Sequence, residues 1–261
     1  MCIYVINMNK AIFQKILAIA LILVIPIFIL INFTLLRSKR NLSTKFSLEF
    51  INKNEYLTEK SFVFILYNSS NDTTFTTQNL FSIFNQKYDN YRVILISDQM
   101  RQIEECKKNA AKKNKSHLLT ILQTTDNEPA FELFKKAVTS CQDNEIIIHI
   151  NANDWLAHDN VLAILNNIYF SSENVWLAYS QYTEFPSYKK GINNNSKKNS
   201  WLLSYFKTYY VGLFKQTYKE LSFDNAFNQN NLDLYMMPMA KISKNHIHYI
   251  EEPLYVHNDK K

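Results

Sequence analysis

Glycine is almost absent from this sequence: Gly191 and Gly212 are the only two among 261 residues. Three common motifs need closely spaced glycines, namely the P-loop, the GxGxxG turn of dinucleotide-binding domains and the GxSxG nucleophile elbow. Two widely separated glycines cannot form any of them. The chain is therefore not a P-loop nucleoside triphosphatase, a dehydrogenase with the dinucleotide-binding turn, or an α/β-hydrolase.

Cysteine is also scarce, and Cys2, Cys106 and Cys141 lie far apart in the chain. They form no CxxC pair and no spacing typical of a zinc site, so we expect no structural zinc. Scattered single cysteines are typical of free thiols, which fits a reducing compartment.

The excess of positive charge is confined to the N-terminus. The formal net charge is +6, but residues 1–45 contain six of the 29 basic residues and none of the 23 acidic ones. Residues 46–261 are therefore formally neutral, and a neutral domain lacks the charge that neutralises nucleic-acid phosphates. We expect no nucleic-acid partner, and we expect the basic flank to meet lipid headgroups.

One long apolar run stands out. Residues 16–36 hold no charge across 21 positions, and as a helix they would reach about 31 Å, the thickness of a bilayer's hydrocarbon core. The basic residues of RSKR follow directly, where a cleaved signal peptide would have small residues. The run therefore predicts an uncleaved membrane anchor.

The anchor divides the chain into four parts: an N-terminal flank (1–15), a transmembrane anchor (16–36), a basic juxtamembrane linker (37–60) and a folded domain (61–258). The expected protein is a single-pass membrane protein in contact with the bilayer through its anchor. Slightly more cations follow the anchor than precede it. This asymmetry favours a cytoplasmic position for the folded domain.

Apolar runs alternate with amphipathic segments in the folded domain, which is the pattern of an α/β fold. We predict a mostly parallel central sheet with helices on both faces. The predicted strands are 61–68, 91–97, 118–124, 145–150 and 175–182. The predicted helices are 78–86, 100–115, 130–141, 159–169 and 201–216.

Polar residues follow three of the predicted strands. Asn68 follows the first strand, Asp98 the second, and the run from Asn151 to Asp154 the fourth. In a parallel sheet, ligands bind beyond the carboxyl ends of the strands. We therefore expect these three places to meet at one pocket.

Two segments resemble family 2 glycosyltransferases, in particular a bacterial subgroup with an extended DxDDW motif. The first, NLFSIFNQKYDNYRVILISD (79–98), is similar to the family's helix and nucleoside-binding strand. The second, DNEIIIHINANDWLAHDNVLAILNNIYFSSENVWLAYSQY (143–182), is similar to the strand, metal motif, helix and strand that follow. The segments FKTYYVGLFKQ (206–216) and MMPM (236–239) resemble the subgroup's acceptor half.

The resemblance implies a GT-A fold and transfer of a sugar from a nucleotide diphosphate donor. A divalent cation, Mn²⁺ or Mg²⁺, would neutralise the departing diphosphate, and carboxylates would hold that cation. A further carboxylate would take the proton of the attacking hydroxyl in inverting members. The implied partners are a nucleotide sugar and a glycan or lipid-linked acceptor.

The metal motif is degenerate in this chain. It reads Asn151-Ala152-Asn153-Asp154-Trp155, so amides replace both carboxylates of the DxD pair. Losing two negative charges weakens a hard-cation site. Asn153 and Asp154 are the remaining metal candidates, for a site that is weak or absent. Alternatively, Asp154 caps the following helix.

The resemblance marks five site residues besides the two metal candidates. Asp98 stands where the family holds the nucleoside, although a turn residue is equally expected there. Tyr67 and Asn68 remain from the motif after the first strand, and Asn151 joins them as a nucleotide-sugar contact. Asp233 lies one residue out of register with the family's catalytic base. It is either that base or a solvated carboxylate at a helix start.

Two weaker sets have ordinary structural interpretations beside functional ones. His246, His248 and His257 suggest a metal cluster, but no acidic partner is evident. An aromatic group would suit either sugar stacking or the core. Its members are Tyr205, Phe206, Tyr209, Tyr210 and Phe214.

The sequence leaves two functions open. The chain is either a membrane-anchored glycosyltransferase of doubtful activity, or a catalytically inactive GT-A domain that binds a sugar or a protein. In the first case a divalent cation is the expected cofactor, and in the second none is needed. An anchored adaptor without any ligand is a third possibility.

Overall fold

The structure is a computed structural model that describes residues 59–67, 73–123, 130–151, 153–171, 175–191, 204–220 and 236–259. The predicted flank, the anchor and nearly all of the juxtamembrane linker lie outside these ranges. Within the part that is described, no helix combines the length and the apolar character needed to cross a bilayer.

Nine strands form one sheet in the described part of the chain. All five predicted strands are present, with ends displaced by at most three residues. The strands are β1 (Phe62–Tyr67), β2 (Tyr91–Ser97), β3 (Leu119–Gln123), β4 (Ile146–Asn151), β5 (Trp155–Leu156), β6 (Leu177–Phe185), β7 (Lys189–Lys190), β8 (Lys207–Tyr210) and β9 (Ile247–Asn258).

The first four strands form the parallel half of the sheet, and β1, β2 and β4 are its buried members. Phe64, Val93 and Ile148, in β1, β2 and β4, are completely buried. Both faces of these strands are covered, which is why their sequences are continuous apolar runs without alternation. Burying each such side chain contributes about 1.5–3 kcal/mol.

The strand order contains a reversal. The order is β3-β2-β1-β4-β8-β6-β9-β5, with β7 beside β6. From β1 the sheet grows through β2 to β3, and the chain then returns to place β4 on the other side of β1. This topological switch point lies between β1 and β4, where α/β sheets open a ligand crevice.

Six α-helices are described: α1 (Thr73–Phe84), α2 (Met100–Lys112), α3 (Ala130–Thr139), α4 (Val161–Ser171), α5 (Val211–Glu220) and α6 (Met236–Ser243). Right-handed crossovers put α1 and α2 on one face of the parallel half and α3 on the other. Accordingly α1 contacts α2, whereas α3 contacts β1 and β2. This arrangement agrees with the expected helices on both faces.

The expectation of a mostly parallel sheet needs correction, because the sheet is mixed. Residues 207–210, predicted as helix, form β8, which runs antiparallel to both β4 and β6. All four side chains of β8 are buried. A short, fully buried run has no alternation, so periodicity cannot distinguish strand from helix. Its Thr and Tyr residues favour the strand.

The end of β9 returns to the residues that follow β4. β9 runs parallel to β6, with an irregularity at Ser180 to Tyr182. Its last residues pair antiparallel with β5, where Trp155 faces Val256 and Leu156 faces Tyr255. The final strand therefore contacts the segment that resembles the metal motif.

Candidate functional site

The candidate site lies at the carboxyl ends of β1, β2 and β4, which we call the ligand edge. At the switch point, Tyr67 of β1 is paired in register with Asn151 of β4. Asp98 comes directly after β2, the neighbour of β1 on its other side. Tyr67, Asp98 and Asn151 therefore mark neighbouring strand ends, and a common pocket at this edge stays a prediction. Asn68 and Asp233, and the side chain of Tyr67, lie outside the described residues.

Asp98 is exposed in a tight turn between β2 and α2. The turn is fixed by Ser97, whose hydroxyl oxygen accepts a 3.1 Å hydrogen bond from the Gln99 N–H. Among the described residues, the Asp98 carboxylate has no hydrogen-bonding partner. The side chain is therefore available to a ligand at this edge.

Asn151 and Asn153 are both exposed at the end of β4. Asn151 Nδ2 donates a 3.2 Å hydrogen bond to Asp154 Oδ2. The Asn151 carbonyl accepts a 3.1 Å hydrogen bond from the Asp154 N–H, which closes a tight turn. The two amides present neutral polar groups where the resembling family presents carboxylates.

Asp154 is almost completely buried, at 2% exposure. Its Oδ2 accepts a 2.6 Å hydrogen bond from the Tyr255 hydroxyl, and its Oδ1 accepts a 2.8 Å bond from the Asn258 N–H. His257 Nδ1 lies 3.2 Å from Oδ1. Three residues near the end of β9, namely Tyr255, His257 and Asn258, thus contact this one carboxylate.

The alternative that Asp154 caps the following helix is wrong. That helix, α4, begins only at Val161. Its Leu162 N–H donates instead to Gln86 Oε1, at 3.1 Å. Asp159, also near that start, forms an exposed ion pair with Lys87 at 2.8 Å.

A buried asparagine on α1 holds the segment after β4 in place. Asn79 is 1% exposed. Its Nδ2 donates to the Asn151 carbonyl at 3.0 Å and to the Asp154 carbonyl at 2.6 Å. The sequence alone does not predict this role, because a single polar residue on a helix gives no signal of a contact 72 positions away.

His257 stands between Asp154 and an exposed aromatic ring. Its imidazole stacks on the Tyr205 ring, with 3.8 Å between centroids. The hydrogen bond with Asp154 raises the pKa of His257 above its ordinary value, although partial burial opposes the shift. Burial raises the pKa of the neighbouring Tyr182 to about 12, so that hydroxyl stays neutral.

The structure separates the members of the aromatic group and of the histidine group that the sequence marks. Tyr205 is 45% exposed, whereas the other four aromatic residues of its group are in the core: Phe206, Tyr209, Tyr210 and Phe214. His246 precedes β9 and His257 stands near its end, so they lie far apart. Within the described ranges, no three His, Cys, Asp or Glu side chains are grouped to hold a metal.

The α/β fold with its mixed sheet resembles the GT-A fold of glycosyltransferases. Two solved structures of S. aureus TarS have a similar fold. The crystal structure of TarS shares 17% identity with the chain, covers 76% of it and has a TM-score of 0.55. The TarS 1–349 structure in complex with UDP-GlcNAc also shares 17% identity, covers 77% and has a TM-score of 0.57.

A third structure comes from Pyrobaculum calidifontis. It is the mannosyltransferase PcManGT in complex with GDP-Man and Mn²⁺, with 12% identity, 76% of this chain covered and a TM-score of 0.54. The chain spans 36% of the TarS chain, 59% of TarS 1–349 and 57% of PcManGT. No protein-family model matches the chain, and no curated protein matches it in sequence. These likenesses show the fold.

Proposed function

We propose that this chain binds a nucleotide sugar at its ligand edge and descends from enzymes that transfer the sugar to an acceptor. The observation that carries the proposal is the switch point between β1 and β4, with Tyr67 and Asn151 in register and Asp98 at the adjacent strand end. An α/β sheet binds its ligand at such a point. The GT-A-like neighbours, which were solved with UDP-GlcNAc or GDP-Man, support this ligand class.

The proposed contacts follow from the chemistry of each side chain. Asp98 is an exposed carboxylate with acceptor oxygens for ribose hydroxyls or base N–H groups. Asn151, with Tyr67 and Asn68, offers neutral donors and acceptors beside the switch point. Asp233 is proposed as the base that takes the acceptor hydroxyl's proton, on the strength of the resemblance.

The residues after β4 fit a divalent cation poorly. Both oxygens of Asp154 accept hydrogen bonds from β9, and the carboxylate is buried. Asn151 and Asn153 bring no charge to a hard cation, which prefers carboxylates. A metal on Asn153 and Asp154 would have to compete with the Tyr255 hydroxyl. We therefore propose nucleotide binding that does not depend on a cation at Asp154.

A second candidate function is binding without turnover. The burial and hydrogen bonding of Asp154 favour it, because the one acid left in the motif then has a structural role. In this case the domain would recognise a sugar nucleotide or a protein partner while transferring nothing. The two candidates share the ligand edge and differ only in chemistry.

The anchor and the location complete the proposal. We propose that residues 16–36 hold the protein in a bilayer as a single-pass anchor. The folded domain would lie in the cytoplasm, which supplies soluble nucleotide sugars. The acceptor would then be a glycan or a lipid-linked sugar close to the membrane. The neutral domain gives no reason to propose a nucleic-acid partner.

One experiment separates the candidates. The detergent-solubilised full chain is incubated with UDP-GlcNAc or GDP-mannose, in EDTA or in Mn²⁺, and both bound and released nucleotide are measured. Release of UDP or GDP supports a transferase, and binding without release supports a binding domain. If neither binding nor release occurs with either donor, the proposed ligand class is wrong.

A further inference from the structure

A cluster of five lysines lies at the C-terminal end of α2, within a stretch that contains no acid from position 106 to 118. Among the described residues, none of the five forms an ion pair. Since residues 46–261 are formally neutral, the cluster is a local concentration of charge. We call it the basic cluster, and its members are Lys107, Lys108, Lys112, Lys113 and Lys115.

Helix electrostatics account for only part of the basic cluster. Cations near the C-terminus of a helix are stabilised by its macrodipole, which explains Lys112 and Lys113. Lys107 and Lys108 lie at least one turn earlier and are exposed. Lys108 stands four residues after Glu104, a spacing that stabilises a helix slightly, and four residues before Lys112, where like charges destabilise it by a similar amount. An external anionic surface would offset this repulsion.

An exposed aromatic ring adjoins the basic cluster. Phe81 of α1 is 54% exposed, and Lys113 Nζ lies 4.8 Å from its ring centroid. Aromatic rings beside lysines are typical of helices that lie in a membrane interface, because the ring enters the headgroup region while the ammonium groups meet the phosphates. Lys and Arg stems add apolar contact there.

The basic cluster lies where the chain enters the fold. α2 leads away from the carboxyl end of β2, so its own C-terminus lies at the amino edge of the sheet. Lys115 Nζ donates a 3.0 Å hydrogen bond to the hydroxyl of Tyr91, the first residue of β2. Tyr91 is paired with Phe62, the first residue of β1. The predicted juxtamembrane linker, 37–60, ends two residues before Phe62.

We propose that the basic cluster and Phe81 form a membrane-contacting surface that binds the anionic lipid headgroups of the bilayer holding the anchor. Glu59 and Asp89 also lie near the start of β1 and β2, but the five lysines outnumber them. The ligand edge, at the opposite end of the strands, then faces the aqueous phase that supplies soluble nucleotides. The proposal rests on the proposed anchor and is independent of sugar transfer.

The test is lysine footprinting of the full chain in lipid nanodiscs. One set of discs contains phosphatidylcholine alone, and the other contains phosphatidylcholine mixed with phosphatidylglycerol. Acetylation of each lysine is followed by mass spectrometry. Lys107, Lys108, Lys112 and Lys113 are expected to react about fivefold more slowly in anionic discs, and high salt should remove this difference. The matched controls, Lys189 and Lys190 of β7, are exposed and should react equally in both discs.

Three outcomes would overturn the proposal. The first is equal acetylation of the basic cluster in neutral and anionic discs. The second is failure of the chain to enter either kind of disc, which would remove the anchor as well. Nucleotide binding that persists in detergent would then leave the proposed nucleotide site at the ligand edge intact. The third is equal protection of these lysines by an RNA oligonucleotide, without lipid, and by anionic discs. That result would assign the surface to nucleic acid.

Discussion

The Tyr255 hydroxyl donates a 2.6 Å hydrogen bond to Asp154 Oδ2 and thereby joins the last strand to the segment after β4. Both side chains are buried. Burial and the adjacent carboxylate keep the pKa of Tyr255 well above its ordinary value, so the hydroxyl retains its proton and acts as the donor. The Asp154 carboxylate therefore stabilises the ligand edge from within.

Replacing Asp154→Asn should destabilise the fold strongly. The amide keeps the size of the side chain but removes the charged acceptor that serves Tyr255 and His257. We expect the free energy of unfolding to fall by about 2–4 kcal/mol, measured by urea denaturation of the detergent-solubilised chain. Asp98→Asn is the control, because replacing an exposed carboxylate that bonds to no described residue should change stability by less than about 0.5 kcal/mol. Equal effects of the two substitutions would contradict a structural role for Asp154.

The substitution Tyr255→Phe isolates the hydroxyl. It should lower the free energy of unfolding by about 1.5–3 kcal/mol, since a buried carboxylate loses a donor. Tyr249→Phe, on the same strand, is the control, because its half-buried ring makes no hydroxyl hydrogen bond to a described residue. Combined with Asp154→Asn, Tyr255→Phe should cost less than the sum of the single changes, with a coupling of about 0.5–3 kcal/mol. Strict additivity would show that the two groups do not interact.

Stability should depend on pH through His257. The hydrogen bond with Asp154 raises the pKa of this imidazole in the folded state, so folding favours the protonated form. The contribution is complete below the ordinary pKa, about 6.5, and is lost as the pH rises through the raised folded-state value. His257→Gln should flatten this part of the stability profile, measured by thermal unfolding between acidic and alkaline buffers. A profile of the same slope in both proteins would exclude the imidazole as its source.

The sequence predicts much of the parallel half because its signals are local. The apolar runs of β1, β2 and β4 are buried on both faces, and each ends at a polar residue of the ligand edge. The sequence predicts a helix where β8 lies. All four side chains of β8 are buried, so this short run lacks the alternation of polar and apolar residues that would indicate a strand. Its strand conformation depends on pairing with β4 and β6, which are distant in sequence.

In the candidate site too, contacts between residues that are distant in sequence could not be predicted. The segment from Asn151 to Asp154 was found from its resemblance to a metal motif, and Asp98 from its place after β2. The partners of Asp154 were not predicted, because Tyr255 and Asn258 lie more than 100 residues away. Only the return of β9 beside β5 makes them neighbours.

Restoring both acids of the motif should restore a response to metal. In Asn151→Asp with Asn153→Asp, a carboxylate replaces the Asn151 amide that now donates to Asp154 at 3.2 Å. Without a cation, like charges should lower the melting temperature. Mn²⁺ should raise it again by neutralising them. The natural chain is the control and should gain little from Mn²⁺, and a gain equal to that of the variant would show that its amides and Asp154 already bind the ion.

The most direct test of the account is calorimetric titration of the full chain with UDP and with GDP in the presence of EDTA. The account predicts that at least one nucleotide binds without metal, and that Asp98→Ala weakens this binding. Heat signals that appear only when Mn²⁺ replaces EDTA would contradict the proposed metal-independent site. The absence of binding to either nucleotide under both conditions would contradict the ligand edge as a nucleotide site altogether.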